Sequence, residues 1–324
     1  MATKEVTLYY FPCSYYSMRV LLALQEKNIQ FKERIINLIA GEQNESWFLK
    51  INRNGEIPVL ELNGEYISES DLIVDVIDHT FPSGSPLVPN LETKIGQEVR
   101  EFRMLLDNVD ISTIMFGVLA NRKFCVNELP PSEMVSLDRK GIERYFESCE
   151  STLEQKKQSC SPDEVPVFER KLEKIRNKSE AVCNESVISE RLDDLERVFD
   201  QVEERLEQSK RDAGESQEYW LVGRNFTAAD ITAIVLMYKL HVIAIAARYF
   251  SSEKRTIVHE YYNRLMQRPS VQTSIATDNS ATSYLQKQML KSFGKKALKV
   301  AVIVGLVAIC FAGLREYSKI HRGL

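Results

Sequence analysis

The feature that most constrains this chain is the apolar stretch Val300–Leu314, VAVIVGLVAICFAGL, with ten residues after it. At 1.5 Å per residue it makes a helix of about 22 Å, and adding Ala297 and Leu298 gives about 27 Å, close to a thin hydrocarbon layer. Lys299 lies near enough to the end to snorkel. Bases flank both sides, Lys291, Lys295 and Lys296 before and Arg315, Lys319 and Arg322 after. The stretch has no polar face and carries Gly305 and Gly313, which membrane helices tolerate. Its length also admits a buried core helix, but the cues favour a C-terminal transmembrane helix. A tail anchor emerges after synthesis ends, so all that precedes it is expected to fold in the cytosol.

The rest of the chain has to supply one large or two small domains within 324 residues. A net charge of −4 argues against nucleic acid as a partner, because no basic domain neutralises phosphate. The six cysteines, at 13, 125, 149, 160, 183 and 310, form no CxxC pair and read as reduced thiols. His79, His241, His259 and His321 show no metal-ligand spacing, so no metal is expected. The start, MATKEVTLYY, has neither signal nor transit character.

Val6–Tyr10 is a β-branched and aromatic run closed by Pro12, and helical spacing follows from Ser14 through Ile29. A second extended run over residues 31–38 completes a βαβ opening. Trp47–Ile51 is a short helical piece. Asn54-Gly55-Glu56-Ile57-Pro58 then turns into the strand Val59–Leu62, with proline at the strand entry or in a special turn, where its missing N–H is tolerated. Asn63-Gly64 is a hairpin signal leading to Tyr66-Ile67. Ser68-Glu69-Ser70-Asp71 reads as a cap for a helix over Leu72–His79.

A proline-rich linker, residues 81–89, separates this unit from helical sequence. Residues from about Cys149 to Glu185 are mostly charged and read either as a solvated helical hairpin or as a flexible insertion. Ile188, Leu192, Leu195, Phe199, Val202 and Leu206 form one apolar stripe, more consistent with a helix packed in its own domain than with a coiled coil. A polar loop is expected over Lys210–Gln217. Thr227 and Asp230 have capping-box spacing before a very apolar helix, Ile231–Tyr249. A last amphipathic helix spans about Arg255–Met266.

Two motifs carry a family resemblance. Residues 6–80, with Asn54-Gly55-Glu56-Ile57-Pro58-Val59-Leu60 followed by a hairpin and Glu69-Ser70, resemble the thioredoxin-like domain of glutathione transferases. Tyr219-Trp-Leu-Val-Gly-Arg-Asn-Phe-Thr-Ala-Ala-Asp-Ile231 resembles the signature of their helical domain. The charged insertion and the apolar C-terminus are similar to the ganglioside-induced differentiation-associated protein 1 family. The resemblance implies a glutathione transferase fold: an α/β thioredoxin-like domain over residues 1–82 and an all-α domain over 83–269, with the insertion at about 149–185. A neck (270–299), a transmembrane tail anchor (300–314) and a short basic tail (315–324) would follow.

For the site, the resemblance implies that Ser14 stabilises the glutathione thiolate. Cys13, Tyr15, Tyr16 and Ser17 are the alternatives if the register slips. Ile57, just before Pro58, would hold the tripeptide main chain, Ser70 its γ-glutamyl carboxylate and Glu69 its ammonium. Each also has a structural reading, Ser14 and Ser70 as helix caps and Pro58 as a turn former. Cys13 as a glutaredoxin-like nucleophile is the weaker idea, because Tyr16 occupies the resolving position. The resemblance further implies the mitochondrial outer membrane, with the peroxisome as a second destination, and a role in network shape, fission and redox balance. Glutathione is the expected ligand, with a homodimer and proteins contacting the insertion as partners. The alternative is a working transferase that uses Ser14.

Overall fold

The computed structural model describes residues 4–38, 40–126, 139–214 and 218–276. The apolar stretch 300–314, most of the neck and the basic tail lie outside them. Among the described residues no helix is long and apolar enough to cross a membrane.

Period-two alternation builds the first unit. Strand β1 (Val6–Tyr10) points Val6, Leu8 and Tyr10 into the main core, while Tyr9 faces a smaller cluster. Helix α1 (Tyr15–Glu26) returns the chain to β2 (Lys32–Ile35), parallel to β1. Helix α2 (Ser46–Ile51) then inserts Phe48 against Ile36 and Val59. The Asn63-Gly64 turn joins β3 (Val59–Leu62) to β4 (Glu65–Ser68), both residues at positive φ. The order is β2-β1-β3-β4, parallel in the first pair and antiparallel in the others. Helix α3 (Ser70–Thr80) packs on α1.

Helices α4 (Lys94–Asp107) and α5 (Ile111–Ala120) open the second unit, capped by Thr93 and Asp110. The charged segment is a helical hairpin, α6 (Arg139–Ser159) against α7 (Val165–Cys183), and it begins ahead of residue 149. Its apolar residues explain the order: Leu153, Val167, Phe168 and Leu172 bury one another together with Leu49 of α2. Helix α8 (Glu185–Ala213) buries the whole stripe from Ile188 to Leu206. It crosses α5 where Gly117 leaves space for Ile188. It also runs four residues into the expected polar loop, because Ser209 and Ala213 are buried and Ser209 donates to the Leu221 carbonyl.

Helix α9 (Ala228–Val242) is buried on almost every side. The long helix expected to Tyr249 breaks at Ala244, which has φ 59°, before α10 (Ala246–Phe250). Helix α11 (Thr256–Met266) follows. The packed body continues to Ala276, past the expected neck boundary, because Val271 and Ile275 are buried and Ser270 contacts Glu26.

The interface between the units is ionic as well as apolar. Arg19 of α1, 1 % exposed, pairs with Asp71 of α3 and Asp107 of α4, and Arg103 pairs with Asp71 and Asp75. Burial works against the Asp71 carboxylate, but the two guanidiniums hold it below its ordinary range.

Candidate functional site

Strand register brings the predicted residues to one end of the sheet. Tyr9 pairs with Val59, so the loop after β1, carrying Cys13 and Ser14, lies beside Ile57-Pro58. Val59 pairs with Ser68, which places Pro58 level with Glu69. Cys13 and Ile57 pack on the same buried ring, Phe11. The Ile57-Pro58 peptide bond is cis.

Ser14 is the N-cap of α1: it has extended backbone angles, and its Oγ accepts from the Ser17 N–H at 3.3 Å. The capping reading is therefore met, and the hydroxyl keeps its own proton to donate toward an anion at this helix end. The Cys13 carbonyl accepts from Lys239 Nζ of α9 at 2.9 Å, a buried tie from the helical unit to the loop. Tyr15 is buried, and its phenol is pushed up by desolvation. Tyr16 projects outward, and burial of its hydroxyl again raises it. Tyr9 and Tyr10 are held away from the site by hydrogen bonds to Glu61 and Glu33.

The second helix start differs from an ordinary cap. The expected Ser-Glu-Ser-Asp capping is not made. The N-cap is Glu69, with φ 71° and ψ 112° and no side-chain capping hydrogen bond. Ser70 is the first helical residue and is buried. A non-glycine residue at positive φ is held there by its surroundings, a pattern common at ligand sites. The N–H groups at this start are left to an outside acceptor.

Sequence reasoning missed the third wall. Helix α7 of the insertion lies against the loop that leads into Pro58. Lys171 Nζ donates to Asn44 Oδ1 (2.6 Å) and to the Gly55 carbonyl (2.9 Å). Lys174 pairs with Glu56 at 2.9 Å and feels Tyr16 and Glu69; the Glu56 hydrogen bond dominates and raises its pKa. Desolvation lowers Lys171 to about 8. A cleft of about 450 Å³ lies between the loop and α7, lined by Asn54, Glu56, Arg170, Lys171, Lys174 and Asn177 among others. Only the fixed loop identifies these lysines, and a charge run carries no such signal.

Asp230, read from sequence as a cap, closes the capping box with Thr227 and also accepts from the Leu221 N–H and the Tyr261 hydroxyl. Its full burial pushes the carboxyl up.

Two family models cover more than half of the chain between them, glutathione S-transferase N-terminal domain over residues 8–86 and C-terminal domain over 165–269. The chain belongs to the glutathione S-transferase family. Among curated proteins it is similar to human ganglioside-induced differentiation-associated protein 1-like 1, 25 % identical over 268 residues, 82 % of this chain and 72 % of that protein. This bears out the family resemblance. Its first domain is also similar to glutathione S-transferase DHAR2 of Arabidopsis thaliana, 34 % identical over 84 residues, 26 % of this chain and 38 % of that protein. Among solved structures, the β-etherase LigF of Sphingobium superposes with a TM-score of 0.60 at 20 % identity, covering 83 % of this chain and 98 % of that one. Ure2p in complex with glutathione gives 0.56 at 16 %, covering 85 % and 99 %. Likeness at these identities shows the shared fold.

Proposed function

We propose that this glutathione transferase-like chain is a cytosol-facing binding and regulatory protein, held in the mitochondrial outer membrane by residues 300–314. In this reading it acts on mitochondrial network shape, fission and redox balance, with glutathione as its small ligand. The observation that supports it best is the convergence of the Ser14 helix start, cis Ile57-Pro58 and the positive-φ Glu69-Ser70 corner at one end of the sheet. Glutathione would pair its main chain with Ile57, direct its γ-glutamyl carboxylate to the Ser70 helix start and set its ammonium against Glu69. Ser14 and the α1 N–H groups would favour the thiolate.

The insertion argues for regulation over turnover. Helix α7 lies along the flank of this site with Lys171 and Lys174 bonded to the loop, and neither it nor the tail contributes a group to conjugation. Protein partners would meet the outer face of the hairpin. A second copy of the chain would cover Tyr66, Leu72, Ile95 and Met104, large side chains exposed on β4, α3 and α4. Peroxisomal membranes are a second destination open to the same tail. The second reading, a working transferase, rests on the intact Ser14, Ile57 and Glu69-Ser70 set.

Calorimetric titration of glutathione into the full chain in detergent tests the site. Binding near millimolar or tighter, lost in Glu69→Ala, supports it; no heat and no thermal stabilisation at cellular glutathione levels refutes it. Ser14→Ala abolishes conjugation if the chain is a transferase and leaves network shape unchanged if it is regulatory. Val304→Asp should release the protein to the cytosol, and retention on membranes would refute the anchor.

A further inference from the structure

Lys171 is bonded to neutral acceptors rather than to a carboxylate. Its amine sits over the Gly55 carbonyl, in a turn where glycine at φ +58° leaves space; a Cβ there would lie 2.5 Å from Nζ. Its second acceptor is Asn44 Oδ1, also neutral. Among the described residues no carboxylate pairs with it. The nearest acid, Glu56, is engaged by Lys174. Two acceptors match the two N–H bonds of a neutral amine and leave its lone pair uncommitted. An ammonium would bring a third N–H and an unneutralised charge into a desolvated position. The same amine lines the open cleft between the loop and α7, whose other cations are Arg170 and Lys174 and whose acids are Glu56 and Glu173.

We propose that Lys171 is a nucleophilic amine that captures small anionic carbonyl compounds, such as α-oxo acids, as an imine in the cleft between α7 and the 54–57 loop. Arg170 and Lys174 would attract the carboxylate, and the Lys171 lone pair attacks the carbonyl carbon. The N–C bond forms and the carbonyl oxygen takes a proton; loss of water from the carbinolamine gives the imine. No redox partner is required. The reaction is independent of the glutathione reading, because it uses none of Ser14, Ile57, Glu69 or Ser70.

The amine titrates near 8, brought down first by desolvation and then by the Lys174 charge, against the opposing field of Glu56. Arg170 and Glu173 on α7 line the cleft with Glu56 and Lys174. The neutral form is therefore appreciable at pH 7.5, whereas an ordinary lysine near 10.4 is almost wholly protonated.

The test treats the full chain with glyoxylate and cyanoborohydride and maps the reduced adducts by peptide mass spectrometry. The expected result is labelling of Lys171 at least about tenfold faster than the exposed Lys94, with the Lys171 rate half-maximal near pH 8. Lys174→Gln should slow labelling by glyoxylate more than labelling by neutral formaldehyde, since the loss of its charge and the release of Glu56 raise the pKa of the Lys171 amine toward both reagents while only glyoxylate also loses an attracting cation. Labelling of Lys171 no faster than Lys94 in the native wild-type chain, or a rate that keeps rising beyond pH 10, would overturn the proposal. Lys171→Arg removes the adduct and keeps the charge, and the wild-type comparison stands whether or not that variant folds.

Discussion

Glu69 offers a direct test of whether the site is held against a cost. Its φ of 71° and ψ of 112° lie outside the left-handed helical well, and its side chain makes no capping hydrogen bond to offset that. Such a conformation costs a non-glycine residue about 1–3 kcal/mol. Glycine removes this but loses about 0.5–1 kcal/mol more conformational entropy on folding. Glu69→Gly should therefore be more stable than Glu69→Ala by up to about 2.5 kcal/mol, since alanine keeps the strain and loses the same carboxylate. In a chain of this size each kcal/mol is about 2 °C in Tm. Urea unfolding of both variants, with equal m-values, measures the difference. If alanine is the more stable of the two, the corner is not strained. Both variants should lose glutathione binding, so a stability difference between them would come with no difference in ligand affinity.

Asp230→Ala removes a cap and leaves the Leu221 N–H, the Thr227 N–H and the Tyr261 hydroxyl without their acceptor, so it should destabilise the helical unit by about 3–5 kcal/mol in denaturant melts. The folded carboxyl is raised above its ordinary 3.8, so folded protein binds the proton more tightly than unfolded chain. The stability it contributes is full below 3.8 and declines as pH rises through the folded value; the wild-type advantage over Asp230→Asn should fall in that window, and a flat difference would refute it. Gly117→Ala drives a methyl into Ile188, where a Cβ would meet Cδ1 at 2.2 Å. It should cost about 1–3 kcal/mol, and pairing it with Ile188→Val should recover part of that loss.

Local rules made much of this fold legible. The Asn63-Gly64 turn, proline at the entry to β3, the α8 stripe and the Thr227–Asp230 box each act within a few residues, and each appears where its pattern places it. The residues of the candidate site could be named because Pro58 and the Glu69-Ser70 corner are fixed by strand pairing on either side. What stayed hidden depends on partners far along the chain. Lys171 meets Gly55 from 116 residues away and Asn44 from 127, and Lys239 reaches the Cys13 carbonyl across 226. The end of the Ile231–Tyr249 run was hidden for a different reason, because its apolar sequence continues unbroken through the bend at Ala244.

Leu49 and the insertion are covered by each other. Val167, Phe168 and Leu172 on α7 shelter with Leu153 and with Leu49, which belongs to the opening α/β unit. Excising the hairpin would strip α2 of its lid and open a greasy scar beside the Pro58 loop, whereas a protease nick in the 160–164 turn would leave both halves seated. The segment is thus grafted onto its host like a splint, and a shortened relative lacking it would need a bulkier or more polar side chain at position 49.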